Sequence, residues 1–99
     1  MYLVQGSSIW DSEDTKAFRQ DFKRMFKAGK DMKMLLSVME LLENELALDT
    51  KYQDHSLKGV WKKYRECHIA PNWLLVYKVA EDVIIYARTG SHSDIFQKY

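Results

Sequence analysis

Apolar residues recur every three or four positions in the first half of the chain, a spacing typical of helices that pack on a core. The first series predicts a helix that is capped by Asp14 or Thr15 and ends near Ala28, just before Gly29. Its apolar members are Phe18, Phe22, Met25 and Phe26. The second series, which Asp31 caps, has the apolar members Met32, Leu35, Leu36, Met39, Leu42 and Leu46. The short link between the two series predicts a helical hairpin whose apolar side chains face the core.

After Leu48 the apolar period changes from 3.6 residues to 2, which indicates strands. Residues 51–59 are polar and predict a loop. Four strands are predicted, over residues 2–13, 60–69, 73–79 and 83–89. Pro71 suits the end of the second of these strands, and the tight Glu81–Asp82 link predicts an antiparallel hairpin of the last two. The expected fold is a single α+β domain over residues 1–99, with two helices packed on one face of a small antiparallel sheet.

Composition places the chain among ordinary globular proteins. Of its 99 residues, 46% are hydrophobic and 29% are charged, so disorder is not expected. No apolar run approaches the roughly 18 residues of a membrane span, and the first residues lack the basic start of a signal peptide. The one cysteine, Cys67, excludes an internal disulfide and a cysteine-rich zinc site. A small cytoplasmic protein without membrane contact is expected.

Charge is distributed unevenly, although the formal net charge is only +1. Basic residues dominate 16–34, acidic residues dominate 40–54, and basic residues dominate again over 58–68. Local basic patches are sufficient for contact with nucleic acid. A solvated helix face has the same composition, so charge alone does not identify a function.

All three histidines lie beyond the predicted helices: His55 in the polar loop, His68 near the end of the strand over 60–69, and His92 just after the last strand. Their spacing includes no HExxH or similar pair, so a metal site is not expected. Cys67 and His68 are neighbours on a strand and point to opposite faces, which argues against a cysteine–histidine nucleophile.

Side-chain alternation predicts which strand residues face the helices. Over 60–69 the expected inward set is Trp61, Cys67 and Ile69, and the expected outward set is Tyr64, Glu66 and His68. On the last strand Arg88 is expected to share a face with Tyr86. An antiparallel meander then brings His68, Arg88 and His92 to one open side of the sheet.

Imidazoles, a guanidinium and aromatic rings on one exposed surface suit metal-free cleavage of RNA. That reaction needs a base for the ribose 2′-hydroxyl, an acid for the departing 5′-oxygen and a fixed cation at the transition state. Histidine serves both proton-transfer roles near neutral pH, and aromatic rings stack on unpaired bases. Taken singly, each of these residues is more often a hydrogen-bonded strand residue or a surface group than a catalytic one.

Three spaced motifs resemble the YafQ branch of the RelE-type bacterial toxins: DH-x-L-x-G, YR-x-x-H and RTGSH-x-x-x-F. The resemblance runs from about Thr15 to Phe96 and includes TKAFRQDFK in the first predicted helix. It implies a helical hairpin on a small twisted antiparallel sheet, of the RelE-like, microbial-RNase-like class. It also implies a ribosome-dependent mRNA endonuclease of a type II toxin–antitoxin system, without a cofactor. Such a toxin is monomeric when free and is held inactive in a hetero-oligomer with its cognate antitoxin.

The resemblance assigns roles by position. The implied catalytic residues are His55, His68, Arg88 and His92, and the implied substrate contacts are Asn72, Trp73 and Phe96. Trp73 is equally suited to the core. Three lysines, Lys58, Lys62 and Lys63, are expected to contact ribosomal RNA together with the basic helix face; they are called the loop lysines below. The alternative function is a non-catalytic module on the same fold, such as a ParE-like gyrase inhibitor or an inactivated toxin, and the histidines with Arg88 favour the nuclease.

Asn72 departs from the family pattern, because relatives often have Asp there and an amide cannot accept a proton as a base. If a carboxylate is missing, this protein is a slower enzyme and Asn72→Asp accelerates cleavage. If Glu66, on the same strand face as His68, already supplies the charge, Asn72→Asp slows cleavage by repulsion of the RNA phosphate. The sequence leaves both alternatives open, with the first preferred.

Overall fold

The computed structural model describes residues 10–45 and 48–96, in which a helical layer covers one face of a five-stranded sheet. Its elements in chain order are β1 (Asp11–Asp14), α1 (Lys16–Lys27), α2 (Met32–Glu43), β2 (His55–Ser56), β3 (Arg65–Ala70), β4 (Trp73–Ala80), β5 (Val83–Gly90) and α3 (His92–Ile95). Two 3₁₀ helices lie at Thr50–Tyr52 and Gly59–Trp61. Of the strand predicted over residues 2–13, positions 2–9 lie outside the described residues, as does the core position of Leu46. In the part of the chain that is described, no helix has the length and apolar content to cross a membrane.

The sheet has the strand order β1-β5-β4-β3-β2. The pairs β2–β3, β3–β4 and β4–β5 are antiparallel, but β1 runs parallel to β5. The predicted α+β class is therefore confirmed, whereas the sheet is mixed rather than wholly antiparallel. The parallel edge forms because the residue that starts α1, Thr15, is tied to β5: its N–H donates to the Tyr86 carbonyl and its hydroxyl to the Ala87 carbonyl.

Both helices begin at their predicted caps and α1 ends just before Gly29, whereas α2 ends at Glu43, short of the predicted apolar series. The Thr15 hydroxyl accepts from Phe18 N and caps α1, and the Asp31 carboxylate accepts from Lys33 N and caps α2. Gly29, at φ +82°, makes the turn between them. Phe26 was expected in the core but is 67% exposed, because it lies about 80° around the helix from Phe18.

The main core lies between the helices and the sheet. Its buried members are Phe18, Met25, Leu35, Val38, Leu42, Cys67, Ile69, Trp73, Leu75, Tyr77, Ile84 and Tyr86. Burial raises the pKa of the Cys67 thiol to about 12, so this side chain is an inert core group. A second apolar cluster covers part of the opposite sheet face, which was expected to be open. It contains Leu74, Val76, Ala87 and Ile95, with Leu57, Trp61, Tyr64 and Phe96 packed around them.

The predicted strand over 60–69 begins only at Arg65. Before it the chain makes a 3₁₀ turn, in which Gly59 has φ +66° and Tyr64 N donates to the Trp61 carbonyl at 2.8 Å. This turn breaks the alternation, so Trp61 lies beside Tyr64 on the face opposite the helices and not in the main core as predicted. Part of the predicted loop is strand β2, whose short pairing with β3 positions His55.

Candidate active site

The three histidines meet at one carboxylate. His55 of β2 is paired directly opposite Glu66 of β3, and His68 follows two residues later on the same face. His92 is the first residue of α3. The Nε2 atoms of His55, His68 and His92 lie 3.3, 3.7 and 3.6 Å from Glu66 Oε2. The sequence prediction that grouped His68 with His92 therefore extends to His55, which β2 carries to the same point.

Glu66 was considered only as an alternative source of charge and was absent from the predicted catalytic set. It is 4% exposed, and Oε1 has no hydrogen-bond partner among the described residues. Leaving a buried polar atom without a partner costs on the order of 1–3 kcal/mol. Such a cost is typical of functional sites, where local strain or desolvation is retained for chemistry. Side-chain alternation is the feature of the sequence that points to Glu66, because Glu66 and His68 are two residues apart and share one face of the strand.

His55 has an acceptor on each side of its ring. Nδ1 lies 2.6 Å from the Gln53 carbonyl oxygen, and Nε2 faces Glu66 Oε2. Both ring nitrogens of His55 therefore lie beside oxygen atoms. The rings of His68 and His92 lie 6.1 Å apart at 66°, and the His92 side chain is 57% exposed. His55 is therefore held at two points, while His68 and His92 face each other at the rim.

The start of α3 fixes the position of His92. The Ser91 hydroxyl accepts from Asp94 N, and the Asp94 carboxylate accepts from Ser91 N, which forms a capping box. The hydrogen bond from the Ser91 backbone lowers the pKa of Asp94. Gly90 is required here, because its φ is +149° and a Cβ would come within 3.1 Å of Arg24 Nη2. The Gly-Ser-His motif is thus the local structure that holds the imidazole in place.

Arg88 lies at the α3 side of the site rather than against the histidines. Its Nε donates to Asp21 Oδ2 at 2.6 Å and its Nη2 to Asp21 Oδ1 at 3.2 Å, and this pairing raises the Arg88 pKa. Nη2 is also 3.5 Å from the Asp94 carbonyl oxygen of α3. The predicted shared face with Tyr86 is wrong, because Tyr77 pairs with Tyr86 while Val76 pairs with Arg88.

Ala87 lies between Tyr86, which pairs with Tyr77, and Arg88, which pairs with Val76, and it forms a β-bulge. The bulge pairs Arg88 with Val76 of the second apolar cluster, and its guanidinium reaches Asp21 of α1, while Tyr86 stays in the main core. Asp21, the partner of Arg88, was not identified from the sequence. Its only signal there is that it interrupts a run of basic residues.

The predicted substrate residues fall into different environments. The Phe96 ring is half-buried, 5.9 Å from His92 and 5.5 Å from Trp61. Trp73 is 3% exposed and its Nε1 donates to Thr89 Oγ1 at 2.9 Å, so it is a core residue and not a substrate contact. Asn72 is exposed in the turn between β3 and β4, and the loop lysines are exposed around the second 3₁₀ helix.

Two open depressions flank the histidines. One, of about 340 Å³, is lined by Leu57, Lys58, Trp61, Glu66, His92 and Phe96. The other, of about 710 Å³, is lined by Met34, Ser37, Lys51, Tyr52, Gln53, His68, Ile69, Ala70 and Pro71. The first depression includes His92 and the second includes His68, so each adjoins one imidazole of the site. Within residues 10–45 and 48–96, no group of three or more His, Cys, Asp or Glu side chains is arranged to hold a metal ion.

Comparisons with known proteins agree with this architecture. Residues 10–97 match the family model of the bacterial toxin of type II toxin–antitoxin systems, YafQ. The mRNA interferase toxin YafQ of Escherichia coli K12 is 40% identical over 87 residues, which cover 87% of this chain and 95% of the relative.

Solved structures are similar over the same length. A copper-bound mutant toxin from Helicobacter pylori is 42% identical, with a TM-score of 0.85, over 88% of this chain and 99% of that one. YafQ in the Escherichia coli DinJ–YafQ toxin–antitoxin complex is 39% identical, with a TM-score of 0.83, over 89% of this chain and 98% of that one. With a family model that matches nearly its whole length, the chain belongs to the YafQ family of bacterial type II toxin–antitoxin toxins.

Proposed function

We propose that this protein is an mRNA endonuclease that cuts without a metal by histidine acid–base chemistry on the ribosome. The observation that supports the proposal is the convergence of three imidazole Nε2 atoms within 3.7 Å of the single buried oxygen Glu66 Oε2. Perturbed or paired titratable groups concentrated at a cleft are typical of catalytic sites. An Escherichia coli relative that is 40% identical is named an mRNA interferase, which also supports the proposal.

In the proposed reaction a neutral imidazole takes the proton of a ribose 2′-hydroxyl, and that oxygen attacks the adjacent phosphorus. The bond from phosphorus to the 5′-oxygen of the next nucleotide breaks, and a protonated imidazole supplies the proton to that oxygen. The products are a 2′,3′-cyclic phosphate and a free 5′-hydroxyl. The two proton transfers balance, so one base and one acid are sufficient.

His68 and His92 are the proposed acid–base pair. Both ring nitrogens of His55 lie beside oxygen atoms, so its proposed role is to hold the Glu66 carboxylate in place. The negative charge of Glu66 stabilises the imidazolium that donates the proton to the leaving oxygen. Since His92 is 57% exposed and lies at the rim, we expect it to approach the scissile phosphate most closely.

Arg88, Phe96 and the loop lysines are the proposed substrate contacts. The guanidinium stabilises negative charge on the phosphorane-like transition state. The Phe96 ring, fixed edge-on against Trp61, offers a stacking surface for a base beside His92. The loop lysines supply phosphate contacts to mRNA and ribosomal RNA.

A cognate antitoxin is the proposed protein partner, since an Escherichia coli relative is known in a complex with DinJ. The toxin is proposed to be a monomer when free and to act in the cytoplasm, where its ribosomal substrate is found. Nothing within residues 10–45 and 48–96 favours the non-catalytic alternative.

The direct test is cleavage of mRNA on programmed ribosomes at constant Mg²⁺, with and without 1,10-phenanthroline, which chelates transition metals and leaves Mg²⁺ bound. We expect cleavage that resists the chelator, a product with a 2′,3′-cyclic phosphate, and no cut where the nucleotide 5′ of the scissile bond carries a 2′-O-methyl group. Gln20→Ala, an exposed change on α1, is the matched control. A wild-type protein that binds antitoxin but leaves programmed mRNA intact would overturn the proposal and identify a non-catalytic module.

A further inference from the structure

The acidic residue Asp21 is buried in the basic helix α1, where it is 2% exposed. Its carboxylate accepts four hydrogen bonds. Oδ2 accepts from Arg88 Nε at 2.6 Å and from Thr89 N at 3.1 Å. Oδ1 accepts from Arg88 Nη2 at 3.2 Å and from Arg24 Nη1 at 3.1 Å. A charge this deeply buried is fully engaged, and half of its hydrogen bonds go to Arg88.

We propose that Asp21 is a positioning residue for Arg88, which it holds side-on so that the guanidinium presents its other edge to the scissile phosphate. This inference rests on the proposed nuclease function. The pairing uses Nε and Nη2, and no contact of Nη1 is found within the described residues. Because Nε and Nη2 are occupied, the two N–H groups of Nη1 remain as donors in a fixed plane, which suits a charge-assisted hydrogen bond to a phosphate oxygen.

The fold aligns Asp21 with this one point of β5. β1 pairs with β5 only from Val83 to Tyr86, so the edge of the strand beyond Tyr86 is left for α1. The cap of α1 is bonded to the carbonyls of residues 86 and 87, and Asp21 then accepts the N–H of Thr89. The carboxylate therefore sits immediately beside the bulge that carries Arg88.

Arg24 gives the group formed by Asp21, Arg88 and Arg24 a net positive charge. It shares the Asp21 carboxylate with Arg88, so two guanidinium groups face one buried anion. Asp94, the other carboxylate nearby, lies 3.5 Å from Arg24 Nη2 and its side chain is 42% exposed. Solvent screens an exposed carboxylate of this kind, so Arg88 keeps positive charge for a substrate while its side chain is immobilised.

The alternative is that Asp21 only joins α1 to β5. A double-mutant cycle separates the two roles, because a residue that acts through Arg88 has no effect once Arg88 is absent. The variants are Asp21→Asn, Arg88→Ala and the double variant, measured as single-turnover cleavage on saturating programmed ribosomes. Asp82→Asn, which removes an exposed carboxylate at the far end of the same hairpin, is the charge-matched control.

We expect Asp21→Asn to lower the single-turnover rate about 10- to 100-fold, as misplacement of a catalytic group does. The half-saturating ribosome concentration should change less than about twofold, and Asp21→Asn should cost less than about a further twofold in the Arg88→Ala background. Equal losses in both backgrounds would overturn the inference, as would an unimpaired Asp21→Asn. An active Arg88→Ala would also overturn it but would leave the histidine chemistry intact, so the two proposals fail separately.

A measurement on the wild-type protein covers the case in which Asp21→Asn does not fold. The Nε–H resonance of Arg88 in a nitrogen–proton NMR spectrum should be well dispersed and exchange slowly with solvent. The exposed Arg19 supplies the internal comparison. An Arg88 resonance that exchanges as fast as that of Arg19 would show that Asp21 does not immobilise the guanidinium.

Discussion

Glu66→Gln is expected to slow cleavage while the fold is kept. The substitution preserves the size and shape of the side chain but removes the negative charge that three imidazoles share. Without it, the imidazolium that delivers the proton to the 5′-oxygen loses its electrostatic partner.

The size of the effect follows from the distance. His92 Nε2 lies 3.6 Å from Glu66 Oε2, and unit charges at that separation attract by roughly 4–5 kcal/mol at an effective dielectric constant of about 20. The His92 side chain is 57% exposed, so we take about half of that value for solvent screening. A loss of about 2 kcal/mol in the transition state corresponds to a rate about 30-fold lower.

The assay is single-turnover cleavage of mRNA on programmed ribosomes, with thermal melting of each variant. Because Glu66 Oε1 has no hydrogen-bond partner in the described part of the chain, removal of the buried charge offsets part of the lost ion pairing. We therefore expect a melting temperature within about 8 °C of wild type, which is about 1 kcal/mol for a domain of this size. Glu40→Gln, an exposed change on α2, is the control. An unchanged rate for Glu66→Gln would refute the role of the carboxylate.

Four further outcomes are expected. Asn72→Asp should slow cleavage or leave it unchanged, because Glu66 already places a carboxylate beside the histidines. A faster Asn72→Asp variant, together with an unchanged cleavage rate for Glu66→Gln, would favour the missing-carboxylate alternative. Replacing the loop lysines together with Ala should reduce the slope of log ribosome affinity against log salt by up to about three, and an unchanged slope would remove them from the RNA contact. Cys67, with its pKa raised to about 12, should react with iodoacetamide at pH 8 at least about a thousandfold more slowly than a free thiol, which modification of the folded protein within minutes would contradict. Asp94→Asn should lower the melting temperature at pH 7. Because a carboxyl group with a lowered pKa stabilises the fold only while it is ionised, this difference should vanish as the pH falls through the pKa of Asp94, below about 4. A difference that persisted at pH 2 would exclude the ionised capping box as its cause.

Local signals were sufficient for the helices and for most of the sheet. The caps Thr15 and Asp31 and the turn at Gly29 lie where the sequence predicts, because capping and positive φ are properties of single residues. Parity also placed Glu66 and His68 on one face, since β3 is regular between them. These features depend only on near neighbours in the chain.

The remaining features depend on contacts between distant parts of the chain. The meeting of His55 with Glu66 requires the two-residue pairing of β2 with β3, which no periodicity in a polar segment reveals. The direction of Arg88 requires the bulge at Ala87, and its partner Asp21 comes from a helix 67 residues earlier. Trp61 lies outside the main core, where it was predicted, because a 3₁₀ turn precedes β3. A one-residue change of register reverses a side chain, so alternation alone could not place these groups.

Proton transfer by His92 to or from the RNA is tested most directly by the single-turnover rate of His92→Ala on programmed ribosomes. We expect a rate about 10²- to 10⁴-fold below wild type, as for loss of a general acid or base. Antitoxin binding and the melting temperature should stay near wild type, because the side chain is 57% exposed and the capping box of α3 does not use it. A His92→Ala protein that cleaves at the wild-type rate would show that His92 transfers no proton.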